Sequence, residues 1–169
     1  MKQLKTYLIA ATLFMGLTGT MQGQSKVAHI DTAALIEAMP ETKAAKAELE
    51  QSAKTYDSEM QSMGTEYQNK IKQYQAEAPT KTDEENATRA QEVQTMEQSI
   101  RQFQAQAQQD LAKKEADLLK PIFEKAQAAI TKVGTALGYD YVLDSSNGQG
   151  VLLASGKDLF EDVKKELGF

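Results

Sequence analysis

LEQSAKTYDSEMQSMGTEYQNKIKQY, residues 49–74, and AQEVQTMEQSIRQFQAQAQQDL, residues 90–111, read as mirror images of one another. In the first stretch apolar side chains fall at Leu49, Ala53, Tyr56, Met60, Met63, Tyr67, Ile71 and Tyr74, in steps of three or four. Such steps put them on one stripe of an α-helix. In the second they fall at Ala90, Val93, Met96, Ile100, Phe103, Ala107 and Leu111. Folding the chain at Thr80 pairs Ile71 with Ala90, Tyr67 with Val93 and Met63 with Met96. Further out it pairs Met60 with Ile100, Tyr56 with Phe103, Ala53 with Ala107 and Leu49 with Leu111. Each pair of numbers sums to between 159 and 161. Two unrelated helices keep such a register only by accident. The stretch is one antiparallel helical hairpin.

Punctuation residues mark its limits. Pro40 interrupts the chain, Glu41 opens an outgoing helix rich in Ala, Lys, Glu and Gln, and Pro79 stops it after Ala78. Those 38 positions span roughly 57 Å at the helical rise. The tip, Pro79 to Thr82, is short and polar, and Thr82-Asp83-Glu84-Glu85 fits a capping box. The returning helix continues through Leu118, Ile122, Ala126, Ile130 and Val133 to a left-handed cap at Gly138. The steps Tyr67–Ile71–Tyr74 and Phe103–Ala107–Leu111 each contain a four where a three is due, so a locally unwound seam is expected. Pro121 lies inside the returning helix, where it cannot donate to the carbonyl of Asp117; a bend or hinge at the root of the hairpin is expected there.

Residues 1–23 read as a secretory signal peptide. Lys2 and Lys5 give a positive start, and Tyr7 to Leu17 is an apolar run too short to span a bilayer. Leu17-Thr18-Gly19-Thr20 resembles a lipoprotein box with Thr20 in place of the lipidated cysteine. The chain contains no cysteine, so neither that anchor nor a disulfide is available. Cleavage is placed near Gly23, with Gly19 as the alternative. Removing Lys2 and Lys5 leaves 17 basic and 24 acidic residues, a net charge of −7. That balance argues against nucleic acid as a partner. With no second apolar segment of spanning length, no integral membrane segment is expected in the mature chain, which is expected to be soluble in an extracytoplasmic compartment.

The remaining ends, residues 24–40 and 134–169, supply only fragments. Lys26 to Ile30 reads as a strand, followed by a short helix capped by Asp31 with Leu35, Ile36 and Met39 on its apolar side. Tyr139 to Leu143 reads as a strand and Val151 to Ala154 as its returning partner, with Asn147-Gly148 in the connection. Asp158 caps a last helix with Leu159, Phe160, Val163 and Leu167 on its apolar face. So few large side chains cannot close a core, and the strand edges would stay open. Oligomerisation through Val27, Ile30, Tyr141, Leu143, Val151 and Leu153 is therefore expected. The fold class is α+β, mostly α: a hairpin arm, residues 41–133, on a small β body completed by several chains.

Catalytic signals are weak, and no enzyme is read here. His29 shares a strand side with Asp31, but no nucleophile is directed at the pair in the sequence. Gly150 to Asp158 departs from a phosphate loop in glycine spacing and in having Asp158 where a hydroxyl is needed. The carboxylates are spread among lysines without metal-ligand spacing, so no cofactor or metal is expected. Tyr56, Met60, Met63, Tyr67, Tyr74 and Met96 admit two readings. Helical spacing alone makes them the glue of the hairpin. An arm two helices thick cannot cover side chains so large, however, and Met and Tyr are adaptable at promiscuous surfaces. They are therefore candidate client-binding residues.

The strand run HIDTAALIEAMPE, the Ala/Gln/Lys/Glu hairpin, LLKPIFEKAQAAITKVGTALGYDYVLD and the closing VLLASGKDLFEDVKKEL together resemble the Skp (OmpH-like) family of periplasmic chaperones. The resemblance covers the mature chain and is most specific from Leu118 to Asp144. It implies a jellyfish-like homotrimer whose pooled strands form a small β body and whose arms enclose a cavity. It also implies an ATP-independent holdase for unfolded outer-membrane β-barrel proteins. The chain departs from the best-known members in charge: they are basic and it is acidic, so no lipopolysaccharide-binding residues are carried over. The competing class is a coiled-coil structural or tethering protein of the envelope. An interrupted seam and a small polar tip favour the chaperone.

Overall fold

A computed structural model describes residues 25–169. The signal peptide expected at residues 1–23 lies outside the described residues. The elements are β1 (Val27–Ile30), α1 (Thr32–Ala38), α2 (Pro40–Glu77), a 3₁₀ turn (Ala78–Thr80), α3 (Asp83–Ala136), β2 (Tyr141–Asp144), β3 (Lys157–Asp158) and α4 (Phe160–Leu167). Helices α2 and α3 form the antiparallel hairpin, and α3, with 54 residues, continues past the start of α2 into the base.

Local chemistry sets the boundaries. The Asp31 carboxylate accepts the Ala34 N–H at 2.9 Å and starts α1. Pro40 occupies the first turn of α2, where its missing N–H costs nothing. At the tip, the Thr82 hydroxyl accepts the Glu85 N–H at 3.2 Å and the Glu85 carboxylate accepts the Thr82 N–H at 2.9 Å. The capping box read from the sequence is formed. Asn86 adds an amide donated to the Ala78 carbonyl at 3.1 Å, closing the turn. At the far end of α3, Gly138 takes φ +71°, and the N–H groups of Gly138 and Tyr139 satisfy the carbonyls of Thr135 and Gly134. Tyr139 is thereby committed to the cap, which is why β2 begins at Tyr141, later than the expected Tyr139.

The sheet is three-stranded and wholly parallel, in the order β2-β1-β3, with His29 opposite Leu143 on one side and Asp158 on the other. This corrects the expected hairpin. Val151 to Ala154 is not a strand but part of the connection to β3. The run would have paired with β2, whose outer edge carries no strand among the described residues; β3, further along, pairs with β1 instead. The run's apolar residues are also poorly served by a single chain: Leu152 is 100% exposed and Leu153 83%. An apolar run of this kind suits a strand covered on both faces, and one chain offers no second layer.

The core sits at the base. Ala28 and Ile30 from β1, Leu35 from α1, Met39, Ile122 and Ala126 from α3, Leu159, and Val163 from α4 pack into one cluster. Polar ties fix β1 against β2. The Thr32 hydroxyl donates to Asp144 at 2.6 Å, and the Lys26 N–H donates to Asp140 at 2.8 Å. Burial pushes the Asp144 carboxyl up, but Thr32 and the Ser146 N–H together hold it below its ordinary value.

Candidate functional site: the partly exposed seam of the hairpin

The mirror register is present in the folded chain. The Tyr56 and Phe103 rings meet edge to face with centroids 5.9 Å apart, and Met63 and Met96 line one cleft between the helices. Ion pairs cross the hairpin at several levels: Lys114–Glu48 at 3.0 Å, Lys70–Glu92 at 3.1 Å, Arg89–Glu77 at 2.5 Å, and Lys125–Glu41. Most are solvent-facing and contribute little each. They fix register more than stability.

Two helices do not cover their own seam. Leu49, Tyr56, Met60, Met63, Tyr67, Ile71, Tyr74, Val93, Met96, Ile100, Phe103 and Leu111 are all only partly buried. Among the seam positions read from the sequence, only Ala107, 4% exposed, is buried. Small side chains can be enclosed between two helices; large ones retain an open flank.

The seam is also more regular than its apolar residues indicate. Ala90 is exposed, and its place is taken by Arg89. Inward positions on α3 run Asn86, Arg89, Val93, Met96, Ile100, Phe103, Ala107 and Asp110, alternating threes and fours. Asp110 shares its level with Leu111, and Lys70 shares one with Ile71, so polar side chains fill the levels where the apolar pattern skipped. The expected local unwinding is not needed. The missed signal was the heptad spacing itself, which continues through Asn86, Arg89 and Asp110 once polar residues are admitted.

These polar members engage the tyrosines. The Tyr56 hydroxyl donates to Asp110 at 3.2 Å; loss of water, then that carboxylate, pushes the phenol up. The Tyr74 hydroxyl donates to Glu92, while Lys70 Nζ and Arg89 Cζ lie 5.2 and 4.6 Å from the ring centroid. Tyr74 and Lys70 hold the Glu92 carboxyl below its ordinary value, and Tyr74 and Glu92 raise Lys70. Arg89 Nη1 is buried without a hydrogen-bond partner, and the face of Tyr74 stands in for one. Tyr74 is thus clasped by the tip, whereas Met60, Met63, Tyr67 and Met96 carry no polar tie of this kind among the described bonds.

At the base, Val27, Leu143 and Tyr141 are exposed, Tyr141 at 59%, and Val151 is partly buried. Ile30, only 1% exposed, belongs instead to this chain's own core, because its side chain points from β1 toward α1 and α3. Pro121 is exposed at the root beside Ala45, Leu118 and Ile122, within a helix that runs unbroken from Asp83 to Ala136. The His29 ring Nδ1 lies 3.3 Å from the Ser145 hydroxyl, a contact the sequence did not announce. Asp31 is spent on capping α1, so the pair lacks a third member to orient it. Among the described residues no group of three His, Asp or Glu side chains is placed to hold a metal, and no helix is long and apolar enough to cross a membrane.

Comparison with known proteins places this architecture. The chain is 27% identical to the chaperone protein Skp of Pectobacterium atrosepticum over 166 residues, covering 97% of this chain and 99% of that protein. Its fold superposes on a crystal structure described as OmpH-like, from Caulobacter crescentus CB15, with a TM-score of 0.77. That match covers 88% of this chain and 89% of the other at 19% identity. Residues 26–167 match the family described as outer membrane protein (OmpH-like), and the chain belongs to that family.

Proposed function

We propose that the chain is an ATP-independent holdase of the periplasm, exported by a signal peptide over residues 1–23. It binds unfolded outer-membrane β-barrel proteins and keeps them from aggregating on the way to the outer membrane. The observation that carries this reading is the seam in which Met60, Met63, Tyr67 and Met96 are only partly covered by their own hairpin. Burial of apolar surface contributes roughly 25 cal/mol per Å², so several partial contacts sum to micromolar binding without a shaped pocket. Methionine and tyrosine suit this work because they adapt to irregular apolar partners.

A homotrimer supplies what one chain lacks. Val27, Tyr141, Leu143 and Leu153 leave a cluster of apolar surface at the base, next to the exposed Leu152. Neighbouring copies would cover it, with residues 41–133 as arms around a shared cavity and residues 24–40 and 134–169 as the assembled body. The continuous heptad spacing favours a second reading, in which the hairpin merely spaces two attachments in the envelope. One experiment separates the two. A denatured outer-membrane barrel protein is diluted from urea with and without this protein, and light scattering is followed. The holdase suppresses the scattering at stoichiometric ratio; unchanged aggregation leaves the spacer.

A further inference from the structure

The middle of the arm differs from its two ends in charge. Between Lys54 and Lys70, α2 carries Asp57, Glu59 and Glu66 and no cation; between Arg89 and Lys113, α3 carries Glu92, Glu97 and Asp110 against the single cation Arg101. The mirror register sets these two stretches side by side. At the root and the tip, lysine and arginine at least match the carboxylates in number, and Glu41, Glu48, Glu50, Glu77 and Glu85 are held in ion pairs, although Asp83, Glu84, Glu115, Asp117 and Glu124 are not. In the middle, Asp57, Glu59 and Glu66 enter no ion pair among the described residues, while Glu97 finds a cation in Arg101 and Glu92 one in Lys70.

A cleft opens in this same stretch. It holds roughly 240 Å³ and is lined by Met63, Met96 and Ile100 together with Glu66, Glu92, Thr95 and Ser99. Glu92 is neutralised by Lys70 at 3.1 Å, whereas Glu66 is not. On α2 the order Glu59, Met63, Glu66 follows steps of four and three, so a free carboxylate stands one turn to either side of the methionine. An apolar patch beside unanswered negative charge, Glu66 in the cleft and Glu59 one turn away, attracts a segment with the opposite sign and repels one with the same sign.

We propose that this cleft takes a cationic side chain of an unfolded polypeptide, its apolar neighbours resting on Met63, Met96 and Ile100. The proposal rests on the holdase reading and deepens it: the arm selects basic, apolar client segments and disfavours acidic ones. Solvent-exposed pairs are individually weak, so the preference is about threefold and fades as salt shortens the reach of the field.

The test uses three labelled unstructured peptides with the same apolar residues and with Arg, Ser or Glu at two positions. Each is titrated with the full mature chain in about 20 mM salt and followed by fluorescence anisotropy. The Arg peptide is expected to bind about threefold more tightly than the Ser peptide, and the Glu peptide more weakly than either. Glu59→Gln with Glu66→Gln keeps helix propensity; it should level the Arg and Ser peptides. Equal binding of all three peptides, a reversed order, or a preference that survives the double substitution overturns the charge selection and leaves holding intact. No binding of any peptide, together with unsuppressed aggregation of a barrel client, overturns the holdase reading and this proposal with it.

Discussion

Two glycines on the long helices give opposite answers to one substitution, and the difference tests how the hairpin is seated on the sheet. Gly64 lies mid-arm in α2, and a Cβ built there meets nothing within 4 Å. Gly134 is buried near the end of α3, and a Cβ built there would come 2.8 Å from Cγ2 of Val142. In an open helix, Gly→Ala stabilises by about 1 kcal/mol through lower unfolded-state entropy and better propensity. Gly64→Ala should show that gain, a rise of about 2–4 °C for a chain of this size. Gly134→Ala gains the same propensity but must move either the helix or Val142. Valine is stiff at χ1, and Val142 is held opposite Ala28 in the β1–β2 ladder, so neither yields easily. Overpacking of this kind costs about 1–3 kcal/mol. The net change at Gly134 therefore runs from about zero to a loss of about 2 kcal/mol, and the two variants should differ by about 1–3 kcal/mol. Urea unfolding followed by helix ellipticity measures both, at one protomer concentration because association shifts apparent stability. Val142→Ala removes the obstructing methyl group and should restore much of what Gly134→Ala loses, a coupling visible in a double-mutant cycle. An equal gain at both glycines, with no coupling to Val142, would refute the close seating of α3 on β2.

Changing Met60, Met63 and Met96 together to Gln should leave the protein trimeric and helical while its suppression of client aggregation falls; undiminished holding by a folded arm would remove these side chains from the site. Pro121→Ala restores a donor to the root of α3 and should narrow the spread of the arms in small-angle scattering if Pro121 is a hinge; an unchanged profile leaves it a fixed feature of the helix. Sedimentation of the mature chain at micromolar concentration should show a trimer, and a stable folded monomer would refute assembly through Val27, Tyr141, Leu143 and Leu153. Because the Asp144 carboxyl is held below its ordinary value, its stabilisation is complete above about pH 4 and lost as pH falls through the lowered folded value. Asp144→Asn should cost about 1 kcal/mol near neutrality, and the gap to the unsubstituted protein should close in acid; a gap constant with pH would deny the carboxylate that role.

What the sequence disclosed and what it hid follow from the range of each interaction. The hairpin was legible because helical periodicity and capping are local: Thr82 with Glu85 and Asp31 with Ala34 act within three residues, and the apolar stripe repeats within two turns. Ile30 and the run Val151 to Ala154 were misplaced for the complementary reason. Which side of β1 faces the core, and which strand takes each of its edges, depends on partners more than a hundred residues away in sequence, as in the pairing of Val27 with Tyr141. The seam fell between these cases. Its spacing is local and visible, but Arg89 and Asp110 occupy the same period with polar side chains, which carry no apolar signal.

These polar seam positions bear on function. A seam built only of apolar residues could be closed by making them smaller, as Ala107 shows. The Arg89–Tyr74–Glu92–Lys70 clasp and the Tyr56–Asp110 bond hold the helices in register by polar geometry at the tip and nearer the root. The methionines between them are then not needed as the sole fastening of the hairpin, and their open flanks need not be covered for it to stay paired. Register is secured by groups that point at each other across the seam, and adaptability is left to Met60, Met63 and Met96. A spacer has no use for that division. A surface that must grip unlike apolar segments in turn does.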